Sequence, residues 1–286
     1  MIMTEITTLE SPFATLTALH DDGSGNHVAV IDPIWTIGPK VHGGCMMAVC
    51  AAAARRTMVN MGASVALQPV AVSANYLRAP DPGEVRLITA VRKTGTQVCQ
   101  VDVQLEQEGR VAVSAAVTLG VLDAADPIHQ EPHALAGMPV EPVAEAIRVT
   151  ADHPMGQVVH VAQGCDLRVD PDTALFLKGQ TGAPVNRMWL RPFETDESDP
   201  DTSLLFALMA GDISAPVTMN RGMFGWAPTV QLTTYVRRRP APGWLRVMAH
   251  ATVLGPTWFE EDHLIVDSGG HVVVQSRQLA MIPRPA

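Results

Sequence analysis

PTVQLTTYVRRRPAPGWLRVMAHATVLG (Pro228–Gly255), continued by PTWFEEDHLIVDSGGHVVVQSRQLAMI (Pro256–Ile282), decides the fold. It reads as four antiparallel strands divided by turns rich in Gly, Pro and Asp. It is also a second copy. SANYLRAPDPGEVRLITAVRKTG (Ser73–Gly95) parallels LTTYVRRRPAPGWLRVMAHATVLG (Leu232–Gly255). Tyr76 answers Tyr235, Pro82-Gly83 answers Pro242-Gly243, Gly95 answers Gly255, and EGRVAV (Glu108–Val113) answers GGHVVV (Gly269–Val274). The offsets run from 235−76 = 159 to 270−109 = 161. A period this long marks tandem domains, since solenoid repeats span about 20–50 residues. Expected boundaries are an N-terminal unit over 1–122, a linker over 123–154 and a C-terminal unit over 155–286.

Working outward, each half reads as strand–strand–helix followed by four strands. Thr15–His20 and His27–Ile37 read as strands around an Asp/Gly turn. Gly44 to about Asn60, rich in Ala and Met and free of Pro, reads as a buried helix. Val101, Val103 and Leu105 alternate with Asp102, Gln104 and Glu106, the pattern of a sheet with one wet face. Asp123–Asp152, punctuated by Pro127, Pro132, Pro139 and Pro142, reads as the linker, with a short helix near Val143–Ile147. Val158–Val169 and Asn186–Phe193 read as strands, and Thr202–Ala210 as the second helix. The acidic run ETDESDPD (Glu194–Asp201) before it reads as favourable charge at a helix N-terminus. One helix against a long antiparallel sheet, twice over, is an α+β architecture.

With 286 residues and 47% hydrophobic content, there is material for two cores. The net charge of −9 argues against general nucleic-acid binding, which needs a basic surface. Cys45, Cys50, Cys99 and Cys165 lack metal-ligand spacing and read as reduced, buried thiols of a cytoplasmic protein. Neither a metal nor a cofactor is expected. The opening MIMTEITTLESP lacks the pattern of a signal peptide. No apolar stretch is read as reaching the roughly 18 residues of a membrane span. A homo-oligomer is left open.

The duplicated order, with ALMAGDISAP (Ala207–Pro216) and the ending VVVQSRQLAMI, resembles the double-hotdog acyl-CoA thioesterases of the thioesterase II (TesB-like) family, over essentially the whole chain. The resemblance implies a tandem double hotdog, each half a long helix wrapped by a curved antiparallel sheet. It implies acyl-CoA as the partner and hydrolysis to free acid and CoA as the reaction. It also implies a site of Asp near the end of the second helix, Thr at the start of the next strand and Gln in the last strand. Here these are Asp212, Thr229 and Gln278.

The repeat bears on the same three residues. By its offsets Thr229 stands where the first copy has Val70, and Gln278 where it has Val117; Met46–Arg56 contains no carboxylate. Polar groups in place of apolar ones are costly to bury unless they have work to do. Taken singly, Asp212 reads more readily as a helix-closing residue, Thr229 as a strand threonine and Gln278 as an edge residue; the three together, in that order, favour a site. If the three form a site, Asp212 is the base for water and the other two position it. The amides near Gly44 and Cys45, at a helix N-terminus, are candidate oxyanion donors. Gln231, polar where the offset gives Val72, and Arg237 are candidate substrate-binding residues, Arg237 for CoA phosphates. There is no G-x-S-x-G, which excludes an α/β-hydrolase elbow. Two other readings remain: a non-catalytic acyl-CoA or acyl-carrier binding protein, and a hotdog enoyl-CoA hydratase. The latter is disfavoured because neither helix carries an Asp/His pair.

Overall fold

The computed structural model describes residues 11–283. The opening segment weighed above as a signal peptide falls largely outside them, as do the extreme ends of the two expected units. The first half holds α1 (Pro12–Thr17), β1 (His20–Asp21), β2 (His27–Ile31), a small ribbon of β3 (Thr36–Ile37) and β4 (Lys40–Val41), and α2 (Gly43–Asn60). Four long strands follow: β5 (Leu67–Tyr76), β6 (Gly83–Lys93), β7 (Val98–Gln107) and β8 (Arg110–Val121). The second half holds β9 (Ile147–Arg148), β10 (Asp166–Val169), β11 (Val185–Arg191), α3 (Glu194–Glu197) and α4 (Pro200–Met209). It ends with β12 (Thr229–Val236), β13 (Leu245–His250), β14 (Trp258–Val266) and β15 (Val272–Met281).

All strands except β3 and β4 form one antiparallel sheet, in the order β1-β2-β6-β7-β8-β5-β12-β15-β14-β13-β11-β10-β9. The two halves are therefore one sheet, continuous through β5 and β12. Across that seam the Ser73 and Thr233 hydroxyls lie 3.0 Å apart. α2 lies against β5–β8 and touches α4, so the helices meet inside the curved sheet. α2 is a helix because Ala and Met dominate it, and it is buried because almost every side presents an apolar residue. Met47, Ala48, Val49, Cys50 and Ala51 in sequence are wholly inaccessible. This is the α+β double hotdog the sequence led us to expect.

The register of the strands corrects the alignment of the copies by one residue. In the first half Val72 pairs with Val117; in the second Leu232 pairs with Gln278. Both strands carry a bulge at the same place, between Pro69 and Ala71 and between Thr229 and Gln231. Thr229 therefore matches Pro69 and not Val70, Gln231 matches Ala71 and not Val72, and Tyr76 matches Val236 and not Tyr235. A slip of one residue exchanges the faces of a strand. Tyr76 accordingly points inward to bond Gly43, whereas Tyr235 is 46% exposed. The match of Gln278 to Val117 stands.

Other expectations change locally. The expected strand Thr15–His20 begins instead inside a helix, Pro12–Thr17, whose Phe13 and Ala14 N–H groups Asp196 accepts at 3.0 and 2.9 Å. The acidic run thus caps two helices, since Asp199 also accepts the Thr202 N–H of α4 at 3.0 Å. The segment His160–Gln163 is a 3-10 turn, and β10 begins only at Asp166. The region read as a linker has no helix near Val143–Ile147; Ile147–Arg148 is an edge strand on β10. This region is strapped to the second half. Leu135 and Met138 are buried against Trp189 and Trp244, and the buried Arg246 guanidinium donates to the Leu135 and Met138 carbonyls. Pro200–Arg221 does reach the length and mean hydropathy, 1.3, of a membrane span, contrary to the sequence reading. In the structure it is α4 and the turns after it, mostly packed inside the fold.

The halves also approach closely where α2 begins. A Cβ on Gly44 would lie 2.5 Å from the Met209 carbonyl oxygen and 3.1 Å from Asp212 Cβ. Backbone cannot give way there as a side chain could. Gly44→Ala should lower stability by about 1–3 kcal/mol, the usual range for overpacking. Urea unfolding would show it as a lower midpoint at unchanged slope; an unchanged midpoint would mean that the helices can separate without cost.

Candidate active site

Asp212 closes the 3-10 turn Ala210–Asp212 that prolongs α4, and points across the molecule at the start of α2. Two glycines make the approach feasible: a Cβ on Gly43 would lie 2.5 Å from Asp212 Oδ2. The Gly44 N–H donates to the carboxylate. α2 has no side-chain cap of its own, so Asp212 supplies from the other half what a capping residue would. Tyr76 braces the turn from β5, its hydroxyl donating to the Gly43 carbonyl at 2.9 Å.

His42, the residue before α2, sets its Nε2 3.1 Å from the Asp212 carbonyl oxygen and 3.5 Å from Oδ2. A carbonyl only accepts, so Nε2 carries the proton. Nδ1 faces the Cys45 thiol at 3.6 Å. The sequence reading placed no His beside Asp212. The structure does, because the pair comes from different halves. Burial pushes the Asp212 carboxyl above the ordinary carboxylate range, against the opposing pull of His42, His263 and the Gly44 N–H. Burial and the Asp212 charge hold the Cys45 thiol well above its usual range, which excludes an activated thiolate.

Thr229 and Gln278 meet on neighbouring strands, the Thr229 hydroxyl donating to Gln278 Oε1 at 2.7 Å. That bond fixes the amide and leaves its NH₂ as the end for a ligand. The bulge beside Thr229 turns both Thr229 and Val230 towards the interior. Asp212, Thr229 and Gln278 all line one cavity of about 800 Å³. Its walls are chiefly apolar and include Met46, Val159, Leu167, Val169, Met188 and Phe259. A cavity of this size and lining, with a few convergent polar groups, suits a small apolar ligand with one polar end.

The remaining sequence candidates lie elsewhere. Gly44 spends its amide on Asp212, and neither it nor Cys45 lines the cavity; Gly43 does. Gln231 and Arg237 are on the outer face, in a separate groove with Tyr235 and Gln275, and Arg237 donates to Gln275 Oε1 at 3.0 Å. Sequence reasoning missed His42, Tyr76, Ser214, Glu261 and His263. Glu261 lines the cavity and accepts from the Ser214 hydroxyl at 2.5 Å and the Val217 N–H at 3.0 Å.

Comparisons with known proteins identify relatives of this chain and of its fold. The model of the acyl-CoA thioesterase N-terminal domain matches residues 31–120, and that of the acyl-CoA thioesterase C-terminal domain matches 141–282. An uncharacterized protein of Mycobacterium tuberculosis is 45% identical over 268 residues, covering 87% of this chain and 88% of that protein. Among solved structures, a candidate thioesterase II from Thermobifida fusca superposes with TM-score 0.80 at 27% identity, over 96% of this chain and 98% of that one. A hot dog fold protein of unknown function from Alicyclobacillus acidocaldarius shares the fold, with TM-score 0.72 at 18% identity, over 96% and 98% of the two chains.

The burial of Asp212 has a consequence for stability. A carboxyl whose value is raised on folding costs nothing below its unfolded value, here 3.8. The cost grows as pH rises through the raised folded value and is complete above it. Asp212→Asn should therefore melt at the same or a higher temperature than wild type at neutral pH, and the gap should close as the pH falls below that of an ordinary carboxylate. Scanning calorimetry against pH tests this. A variant clearly less stable at neutral pH would show that the ionised form is net stabilising.

Proposed function

The chain belongs to the acyl-CoA thioesterase family built of an N-terminal and a C-terminal thioesterase domain, and on that premise we propose that it hydrolyses acyl-CoA by activating water at Asp212. The observation that carries this reading is one buried carboxylate, one Thr–Gln pair and a largely apolar cavity brought together from three separate elements. The acyl chain lies along the apolar wall. Gln278, oriented by Thr229, donates its NH₂ to the attacking water or the thioester oxygen. Asp212 takes the proton from water as the oxygen attacks the carbonyl carbon. The resulting oxyanion is met by backbone N–H at the start of α2, where Gly43 lines the cavity. Collapse breaks the carbon–sulfur bond, and the thiolate leaves with the proton that Asp212 took up, so the base is restored. A raised carboxyl suits the second step, since it holds a proton better than an exposed one until the leaving thiolate takes it.

A hydratase acting on 2-enoyl-CoA is the second reading, favoured by the closeness of His42 and Asp212. Against it, both His42 ring nitrogens are engaged, one with the Asp212 carbonyl and one with Cys45, which leaves none for substrate. Loss of enoyl absorbance without thiol release would favour hydration; binding with neither would mark a carrier protein.

Thiol release from a panel of acyl-CoAs tests the main reading. Asp212→Asn should lower kcat on the best substrate by about 10²-fold or more with KM little changed. Gln278→Ala and Thr229→Val should each cost less, and their combination with Asp212→Asn should be far from additive, because all act on one water. A folded Asp212→Asn protein with near wild-type turnover would sink this mechanism.

The raised carboxyl also predicts the pH profile. Asp212 must be ionised to take a proton, so kcat should fall on the acid side, with its midpoint above the ordinary carboxylate value. The rate should not recover at lower pH. A profile flat down to the range of an exposed aspartate would show that the base is another group.

A further inference from the structure

The cavity holds a second buried carboxylate that the hydrolysis does not use. Glu261, on β14, is wholly inaccessible. Its Oε1 accepts from the Ser214 hydroxyl at 2.5 Å and lies 3.2 Å from His263 Nε2; its Oε2 accepts from the Val217 N–H at 3.0 Å. His263 Nε2 is also 3.1 Å from the Ser214 oxygen, while its Nδ1 is buried without a partner. No cation from Lys or Arg balances this carboxylate among the described residues. Such a carboxylate is costly to bury unless its oxygens find donors, and here both do. With its oxygens occupied, Glu261 is poorly placed to take a proton from water itself.

The repeat shows that this group is not ordinary core. Glu261 pairs with Gln278, as Val101 pairs with Val117 in the first half. His263 pairs with Ser276, as Val103 pairs with Ala115. One inward face of the sheet is thus Val, Val, Val and Ala in one copy, and Glu, His, Gln and Ser in the other. The polar set comes as a block with Gln278.

We propose that Glu261 is a positioning residue for the reaction at Asp212: through the Ser214 hydroxyl and the Val217 N–H it clamps the turn leaving Asp212, and so fixes the carboxylate against α2. The proposal rests on the hydrolase reading, but the clamp is physical whether or not the protein turns over. Residues 213–216 wall the cavity directly after Asp212, so a loose turn moves both the base and the floor on which the thioester lies. The titratable groups facing Asp212 are His42 and Cys45 from the start of α2, Tyr76 from β5, and Glu261 and His263 from β14.

The test uses Glu261→Gln and Ser214→Ala in the full chain. Glu261→Gln keeps the volume but cannot accept from three donors. It should lower kcat by about 10- to 100-fold, the scale of a misplacement near 1 Å, with KM within about threefold. Removing its charge should also move the acid limb of kcat to lower pH, because a negative neighbour holds the proton on Asp212. Ser214→Ala should lower kcat less and leave the limb in place. Amide exchange gives a readout independent of turnover: Glu261→Gln should lose protection at Val217. Unchanged kcat, or an unchanged limb with retained protection at Val217, overturns the proposal. If wild type hydrolyses no acyl-CoA, the hydrolase reading falls, and exchange at Val217 still decides the clamp.

Discussion

The structure depends on one close approach, that of the Asp212 carboxylate to the first turn of α2. A helix start leaves backbone N–H groups without partners, and a buried one must find them. Here the partner comes from the opposite half of the chain, and Gly43 and Gly44 leave the room for it. The same contact satisfies a helix terminus, joins two domains and creates a buried carboxyl of raised proton affinity. None of the three would exist without the other half. That explains why a site can sit in one half and still need both.

Duplication then shows what the site costs. With the strands in register, the first copy presents Val101, Val103, Ala115 and Val117 to its interior, all buried. The second presents Glu261, His263, Ser276 and Gln278 at the same places. The apolar version is the cheaper core, since a well-packed aliphatic face needs no partners. The polar version survives because its groups satisfy one another: Thr229 with Gln278, Ser276 with the Gly211 carbonyl, Ser214 and Val217 with Glu261. One copy supplies a dry wall and a helix terminus, and the other supplies the chemistry.

Much of this was legible in the sequence, and the reasons for the misses are physical. The repeat revealed the double hotdog, because a strand–turn–strand pattern keeps its glycines and prolines when side chains diverge. Asp212, Thr229 and Gln278 were found by resemblance and by contrast with the first copy, and the structure brings all three to one cavity. Gln231 is set against Val72 only by the offset of Tyr76 and Tyr235, which face opposite sides, whereas Arg237 stands out for the basic cluster Arg237–Arg239; both lie on the outer face. The repeat hides Glu261 and His263, because the offset of 161 that aligns Gln278 with Val117 sets them against the polar Gln100 and Asp102; only the register of the paired strands matches them to Val101 and Val103. His42 was out of reach, since its neighbour in space is 170 residues away. The helix at Pro12–Thr17 was hidden likewise, because Asp196 caps it from the second half.

The continuous sheet has a further consequence, for behaviour in concentrated solution. A sheet of this width presents only two borders, and an exposed border is a template for pairing with another chain. Here the outermost strands are β1 and β9, each two residues long. The long strands β5 and β12, which a single hotdog would leave bare, are spent on each other at the seam. Covalent fusion thus does more than pair two domains. It removes the stretch of unpaired backbone most able to recruit a stranger, and keeps so extended a sheet from growing.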